Sequence, residues 1–155
     1  MVNRSDIETF WTRGDIHSRI HKAMSEAGLN DRKLEIEDLF PIDQYHARGI
    51  AATVDLGKRM PIQKNQKIID IGCGLGGPAR YFAKQFQCFI TGIDITPSFV
   101  AIGNRFNKLT SMSKYVSLQV GNGETLDFED KTFDGGYSQH VTMNIENRKE
   151  FFLEA

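Results

Sequence analysis

The chain has 155 residues, 40% of them hydrophobic and 25% charged, with a formal net charge of −1 and a sequence pI near 6.4. That is the size of one domain with an ordinary core. The charge balance gives no electrostatic reason to expect a nucleic-acid or anionic-membrane partner, and no apolar run approaches the roughly 20 residues of a membrane span. Residues 1–12 lack the apolar core of a signal peptide, so a cytoplasmic location is expected.

Ser5 is placed to cap a short helix carrying Ile7, Phe10 and Trp11. Gly14 breaks it, and Asp15 caps a second helix with Ile16, Ile20, Met24 and Ala27 as its apolar stripe and Gly28 as its stop. His17 and His21 lie four apart on that helix and read as solvent-facing; two histidines alone do not make a metal site, and none is expected. Residues 30–41 read as a polar connection that turns Leu34, Ile36, Leu39 and Phe40 inward. Asp43 is placed to cap a helix whose shared face is Tyr45, Gly49, Ala52, Leu56 and Met60. Because that helix leads straight into the next strand, Tyr45, His46 and Arg48 are candidates for a pocket. The alternative puts Tyr45 in the core and the other two on the surface.

The stretch K-I-I-D-I-G-C-G-L-G-G-P-A-R-Y-F-A, from Lys67, organises the rest. A β-branched run of strand length ends in four glycines, Gly72, Gly74, Gly76 and Gly77. Ala79, Phe82, Ala83 and Phe86 then recur at helical spacing. A strand, glycine turn and helix in that order can direct backbone N–H groups and a helix N-terminus at a small ligand. A second strand, residues 88–93, ends in Asp94. Thr96-Pro97 is a strong helix start, and Phe99, Ile102, Phe106 and Leu109 give that helix its buried face. Val116–Val120 alternates like an edge strand. A second glycine turn, Gly121-Asn122-Gly123-Glu124, follows it. A fourth strand is expected over 133–138, then a polar loop over 139–147 and a helix from Arg148.

These elements predict an α/β fold: a Rossmann-like parallel sheet with right-handed crossovers and helices on both faces. Ligands of such sheets lie beyond the carboxyl ends of the strands. Four loops leave those ends, at 72–77, 94–97, 121–124 and 139–144. Cys73 and Cys88 fall roughly 16 Å apart on such a sheet, too far for a disulfide, and are read as free thiols.

G-C-G-L-G-G fits the dinucleotide spacing G-x-G-x-x-G, which by itself is a weak signal. Asp70 argues against a dinucleotide, because its carboxylate would stand where a pyrophosphate approaches. It suits a ligand carrying an ammonium and a sulfonium, as S-adenosylmethionine (SAM) does. Asp94 lies about 22 residues past Gly72, the distance at which an acid reaches a ribose diol, and fits either cofactor. Asn122 or Glu124 can accept from an adenine amino group, and Ile95 can cover the ring.

D-I-G-C-G-L-G-G resembles the first motif of class I SAM-dependent methyltransferases. G-I-D-I-T resembles their ribose-binding acidic loop, G-N-G-E-T-L-D-F-E-D-K-T-F-D the stretch after their third strand, and Y-S-Q-H-V-T-M-N-I the segment after their fourth. Within the class the chain looks similar to ubiquinone/menaquinone-biosynthesis, sarcosine/dimethylglycine and phosphobase methyltransferases. The resemblance implies that Gly72, Cys73 and Gly74 contact the methionine part of SAM, that Asp70 orders its amino group, and that Asp94 binds the ribose. Asn122, beside Gly123, falls where the family has an aspartate for the adenine amino group. Gln139 and His140 would lie beside the sulfonium and the acceptor. Where phosphobase enzymes have a histidine, this chain has Asn144, which speaks against a phosphobase acceptor. His140 is the candidate base if the acceptor arrives protonated. Arg48 is a candidate to grip the methionine carboxylate.

The expected division is a helical cap, residues 1–60, and a SAM-binding domain, 61–155. The family resemblance implies a seven-stranded sheet in the order 3-2-1-4-5-7-6, of which only four strands, in the order 3-2-1-4, are expected here. A truncated chain is therefore expected to expose Phe151, Phe152 and Leu153 and to self-associate through the fourth-strand edge. The reading is a methyltransferase acting on a small-molecule acceptor and releasing S-adenosylhomocysteine. A non-catalytic SAM or S-adenosylhomocysteine module is the alternative, and a nicotinamide oxidoreductase is disfavoured by Asp70.

Overall fold

The computed structural model describes residues 16–26, 28 and 33–155. The helix expected around Ile7, Phe10 and Trp11, the caps at Ser5 and Asp15, and the side chains of His17 and His21 lie outside the described residues. Helix α1 (Ile16–Glu26) buries Ile20 and Met24, and Gly28 follows it with a φ of 65°. The polar connection expected over 30–41 is corrected: residues Ile36–Asp43 form a helix, α2. Glu35 is its N-cap, and Asp38 accepts from the Glu35 backbone N–H at 3.0 Å. Ile36 and Leu39 are its buried apolar side chains, too short a stripe to announce a helix by periodicity. The helix expected to start at Asp43 is also corrected. Helix α3 spans Ile50–Gly57, with Gly49 as N-cap in a positive-φ conformation. Asp43 instead ends α2, drawn inward by an ion pair with Arg80.

Strands β1 (Lys67–Ile71), β2 (Phe89–Asp94), β3 (Val116–Val120) and β4 (Gly135–Tyr137) form one parallel sheet in the order β3-β2-β1-β4. Helices α4 (Gly77–Phe86) and α5 (Pro97–Leu109) make the crossovers. A 3-10 turn (Thr142–Asn144) and α6 (Arg148–Glu154) follow β4. The burial pattern explains the strand signals. β1 is central and buries Ile68 through Ile71. β3 buries only Val116 and Leu118, as its alternation implied for an edge.

On one side of the sheet, Ile68, Ile90, Val116 and Leu118 pack with Phe82, Ala79 and Ala83 of α4. Ile36 of α2 belongs to the same cluster, and Leu56 of α3 packs against it. The segment before β1 thus shares its core with the sheet. Helix α1 packs on α5 through Ile20, Met24, Phe99 and Phe106, with Leu75 of the glycine turn between them. On the other side, Ile69, Ile71 and Ile93 are covered by Phe151. Phe151 is therefore a core residue at 1% exposure, a correction to its expected exposure, while Phe152 and Leu153 are 65% and 70% exposed. Burying one such phenylalanine is worth about 1.5–3 kcal/mol. Cys73 and Cys88 are both buried free thiols.

Candidate active site

The glycine turn between β1 and α4 satisfies most of its own amides. Gly72 and Cys73 N–H donate to Ile93 O at 2.8 and 2.9 Å, Gly76 N–H donates to Cys73 O at 2.8 Å, and Gly74 N–H donates to Asp94 Oδ2 at 2.8 Å. These four groups face β2 and the turn itself, which corrects the expectation that they point at a ligand. The turn needs its glycines: Gly72, Gly74 and Gly76 all have positive φ. A Cβ on Gly72 would overlap the Val141 side chain, whereas one on Gly74 would meet nothing within 4 Å.

Asp43 lies beside the first residue of α4. Asp43 packs against Gly77, where an added Cβ would strike the Asp43 backbone carbonyl and approach its Oδ1 at 2.7 Å. Asp43 Oδ2 accepts from Arg80 Nη2 at 3.0 Å, and both side chains are fully buried. Arg80 also donates to Leu75 O in the turn, to Gly103 O at 3.2 Å and to Asn107 Oδ1 at 2.6 Å. One guanidinium therefore ties the turn, α5 and the end of α2 together. Burial raises Asp43 to about 6, with Arg80 opposing the shift. A dinucleotide places its pyrophosphate at this helix end; here the Asp43 carboxyl group lies beside the first residue of the helix.

Asp70 is 2% exposed, and Tyr137 on β4 donates its hydroxyl to Asp70 Oδ2 at 2.8 Å. The β1–β4 register places the two residues opposite each other. Burial raises Asp70 to about 7; the Tyr137 bond opposes that, and Asp94 adds to it. Asp94, at the end of β2, accepts from Gly74 N–H and from Thr96 N–H at 2.9 Å. Burial raises its pKa too, against those backbone bonds. In the loop after β3, Asn122 Oδ1 accepts from Glu124 N–H at 3.0 Å, and Glu124 Oε1 accepts from Asn147 N–H at 2.7 Å.

The strand-end loops surround one cavity of about 370 Å³, within the range of roughly 300–1,000 Å³ typical of small-molecule clefts. Of the residues singled out in the sequence, Asp70, Gly72, Cys73, Gly74, Asp94, Ile95, Asn122, Gly123, Glu124, Gln139 and His140 line it, as do Tyr45 and His46. Arg48 does not; its Nη2 donates to Asp55 Oδ2 at 2.7 Å. Arg19 and Ala23 of α1, Val141 and Asn144 also line the cavity. Of these, Arg19 had no sequence signal, because helical spacing does not say which exposed residue overhangs a cleft.

On the side of the cavity formed by the chain before β1, His46 stacks on His140 with ring centroids 5.3 Å apart and an interplanar angle of 13°. His140 has a φ of 58°, a left-handed conformation that a side chain disfavours. Thr53 donates to Gln44 Oε1 at 2.6 Å and lies 3.2 Å from His46 Nε2. Gln139 Oε1 is 3.4 Å from the same hydroxyl. Burial lowers the His46 pKa; the Ala47 carbonyl opposes this and His140 adds to it. The two segments meet here, at residues 44–53 and 139–140.

A parallel sheet with a glycine turn after β1 and an acid after β2 defines a Rossmann-like nucleoside-binding domain. The chain belongs to the class I SAM-dependent methyltransferases: the family described as "Methyltransferase domain" matches residues 69–155. The chain is 36% identical over 101 residues to 24-methylenesterol C-methyltransferase 3 of Arabidopsis thaliana, covering 65% of this chain and 27% of that protein. It is 27% identical over 119 residues to phosphoethanolamine N-methyltransferase 1 of the same organism, covering 77% and 24%. The chain thus spans about a quarter of the length of these relatives. Geranyl diphosphate C-methyltransferase from Streptomyces coelicolor A3(2), solved with S-adenosyl-L-homocysteine, aligns with a TM-score of 0.65 at 20% identity, over 68% of this chain and 38% of that one. At that identity the likeness is one of fold. Among the described residues, no helix is long and apolar enough to cross a membrane, and no cluster of ligating side chains could hold a metal.

Proposed function

We propose that this chain carries the SAM-binding part of an enzyme that methylates a small-molecule acceptor and releases S-adenosylhomocysteine. The observation that carries this reading is Asp70: a buried carboxyl group, raised to about 7, that lines the cavity and whose one side-chain partner among the described residues is a tyrosine hydroxyl. Such a group calls for a cation, and the α-ammonium of SAM is one. The remaining residues fit the same ligand. Asp94 keeps lone pairs for a ribose diol beyond its two backbone bonds. Gly74 lines the cavity, and a Cβ there would meet nothing within 4 Å. Ile95 is available to the adenine face, and Asn122 or Glu124 to its amino group. A dinucleotide fits poorly, because the Asp43 carboxyl group lies beside the first residue of α4 and four turn amides are already paired.

The bound donor would supply a methyl group made electrophilic by its sulfonium. The protein then has to align the acceptor and exclude water, which is mainly an orientation effect. Gln139, His140 and Asn144 on the post-β4 loop, with Tyr45 and His46 from the preceding segment, support an acceptor site on that side. His140 is assigned as the proton acceptor for a nucleophile that arrives with an N–H or O–H. Residues 1–60 act as the cap and 61–155 as the cofactor domain in this reading. The reducing cytoplasm suits two buried thiols, and the edge position of β4 supports pairing with a second copy through that strand. The test is a metabolite screen with methyl-labelled SAM on the protein. Label transferred to one small metabolite is expected; label transferred only to nucleic acid would overturn the acceptor class.

A further inference from the structure

We infer that Arg19 binds the α-carboxylate of the cofactor and so makes α1 a cofactor-dependent lid; this rests on the SAM reading above. Among the described residues lining the cavity, the carboxylates are Asp43, Asp70, Asp94, Glu124 and Glu146, and Arg19 alone carries a guanidinium or ammonium group. The amino-acid end of the cofactor bears an ammonium and a carboxylate on one carbon. Whatever seats the ammonium at Asp70 therefore leaves the carboxylate within a few ångströms of an acidic wall, where it is repelled unless a cation meets it. Arg48, the other candidate, is held by Asp55 and lies off the cavity.

The packing of α1 against the glycine turn places Arg19 on the cavity wall. Ile20 and Met24 seat the helix against Leu75, a residue of the glycine turn itself, and against Phe99 at the start of α5. That leaves Arg19 and Ala23, four apart and on one face, at the cavity. Arg19 is exposed, and among the described residues no side chain or backbone group bonds its guanidinium. A guanidinium grips a carboxylate with two parallel hydrogen bonds, which also fixes the orientation of the helix.

The test uses calorimetry on the 155-residue chain with two probes, SAM and decarboxylated SAM. The expected result for Arg19→Gln is a loss of about tenfold or more in SAM affinity with no change toward decarboxylated SAM, and Arg19→Lys keeps part of the affinity. Hydrogen exchange of the α1 amides should slow on adding SAM and not on adding the decarboxylated probe. An Arg19→Gln loss equal for both probes, or absent for both, overturns the inference while leaving the cofactor reading intact. If the wild-type chain binds neither probe, the cofactor reading itself fails, and this inference with it.

Discussion

Acidification should weaken SAM binding through one carboxyl group. Burial raises Asp70 to about 7 in the free protein, with the Tyr137 bond opposing and Asp94 adding to the shift. A bound ammonium stabilises the ionised form, so the pKa in the complex falls back toward ordinary carboxylate values. Below about pH 7 the protein must therefore release a proton to bind, and affinity drops about tenfold, or ~1.36 kcal/mol, per pH unit. Asp70 is mostly ionised near pH 7.5 and only about 3% ionised near pH 5.5, which gives a loss of about 20-fold, ~2 kcal/mol. The α-ammonium of the ligand stays largely protonated over this range, since α-amino groups titrate near 8. Calorimetry at both pH values, in buffers of different ionisation enthalpy, reads the affinity and counts the proton released. The Asp70→Asn variant should bind weakly and with a much flatter profile. Equal affinity at both pH values, or the same slope in Asp70→Asn, would refute the reasoning.

Asp94→Ala should weaken SAM binding by about 1.5–3 kcal/mol through lost charged hydrogen bonds; unchanged affinity in a calorimetric titration would remove Asp94 from the ribose site. Gly72→Ala puts a methyl group into Val141 from a φ of 84°, and should abolish SAM binding or folding, as read by thermal melting with and without ligand. Arg80→Met leaves Asp43 buried without its cation and should cost about 3–5 kcal/mol in urea unfolding near pH 8. The cost should shrink near pH 5, where Asp43, already raised to about 6 by burial, takes up a proton. A loss independent of pH would mean that the ion pair is not what Arg80 contributes.

The sheet was legible because each strand carried its own signal: a continuous buried run in β1, alternation in β3, and turns with glycine or proline between them. Thirteen of the fourteen singled-out site residues line one cavity; eleven do so because the strand ends of a parallel sheet and their loops must converge, while Tyr45 and His46 come from the segment before β1. What spacing could not supply was direction. Nothing in the glycine pattern told that Gly72 and Cys73 amides would turn toward Ile93, or that Asp43 would reach across to Arg80 rather than cap a helix. The α2 helix was hidden because its stripe is two buried residues long and contains Pro41. The expected exposure of Phe151 follows from the elements the family places after the fourth strand; the sequence does not show that Ile69, Ile71 and Ile93, at least fifty-eight positions away, already cover it.

The central claim is that the glycine turn, Asp70 and Asp94 form a SAM site and not a dinucleotide site. Parallel calorimetric titrations of the chain with SAM, S-adenosylhomocysteine and NAD test it most directly. The account predicts binding of the first two and none of the third. Binding of NAD without SAM would contradict it.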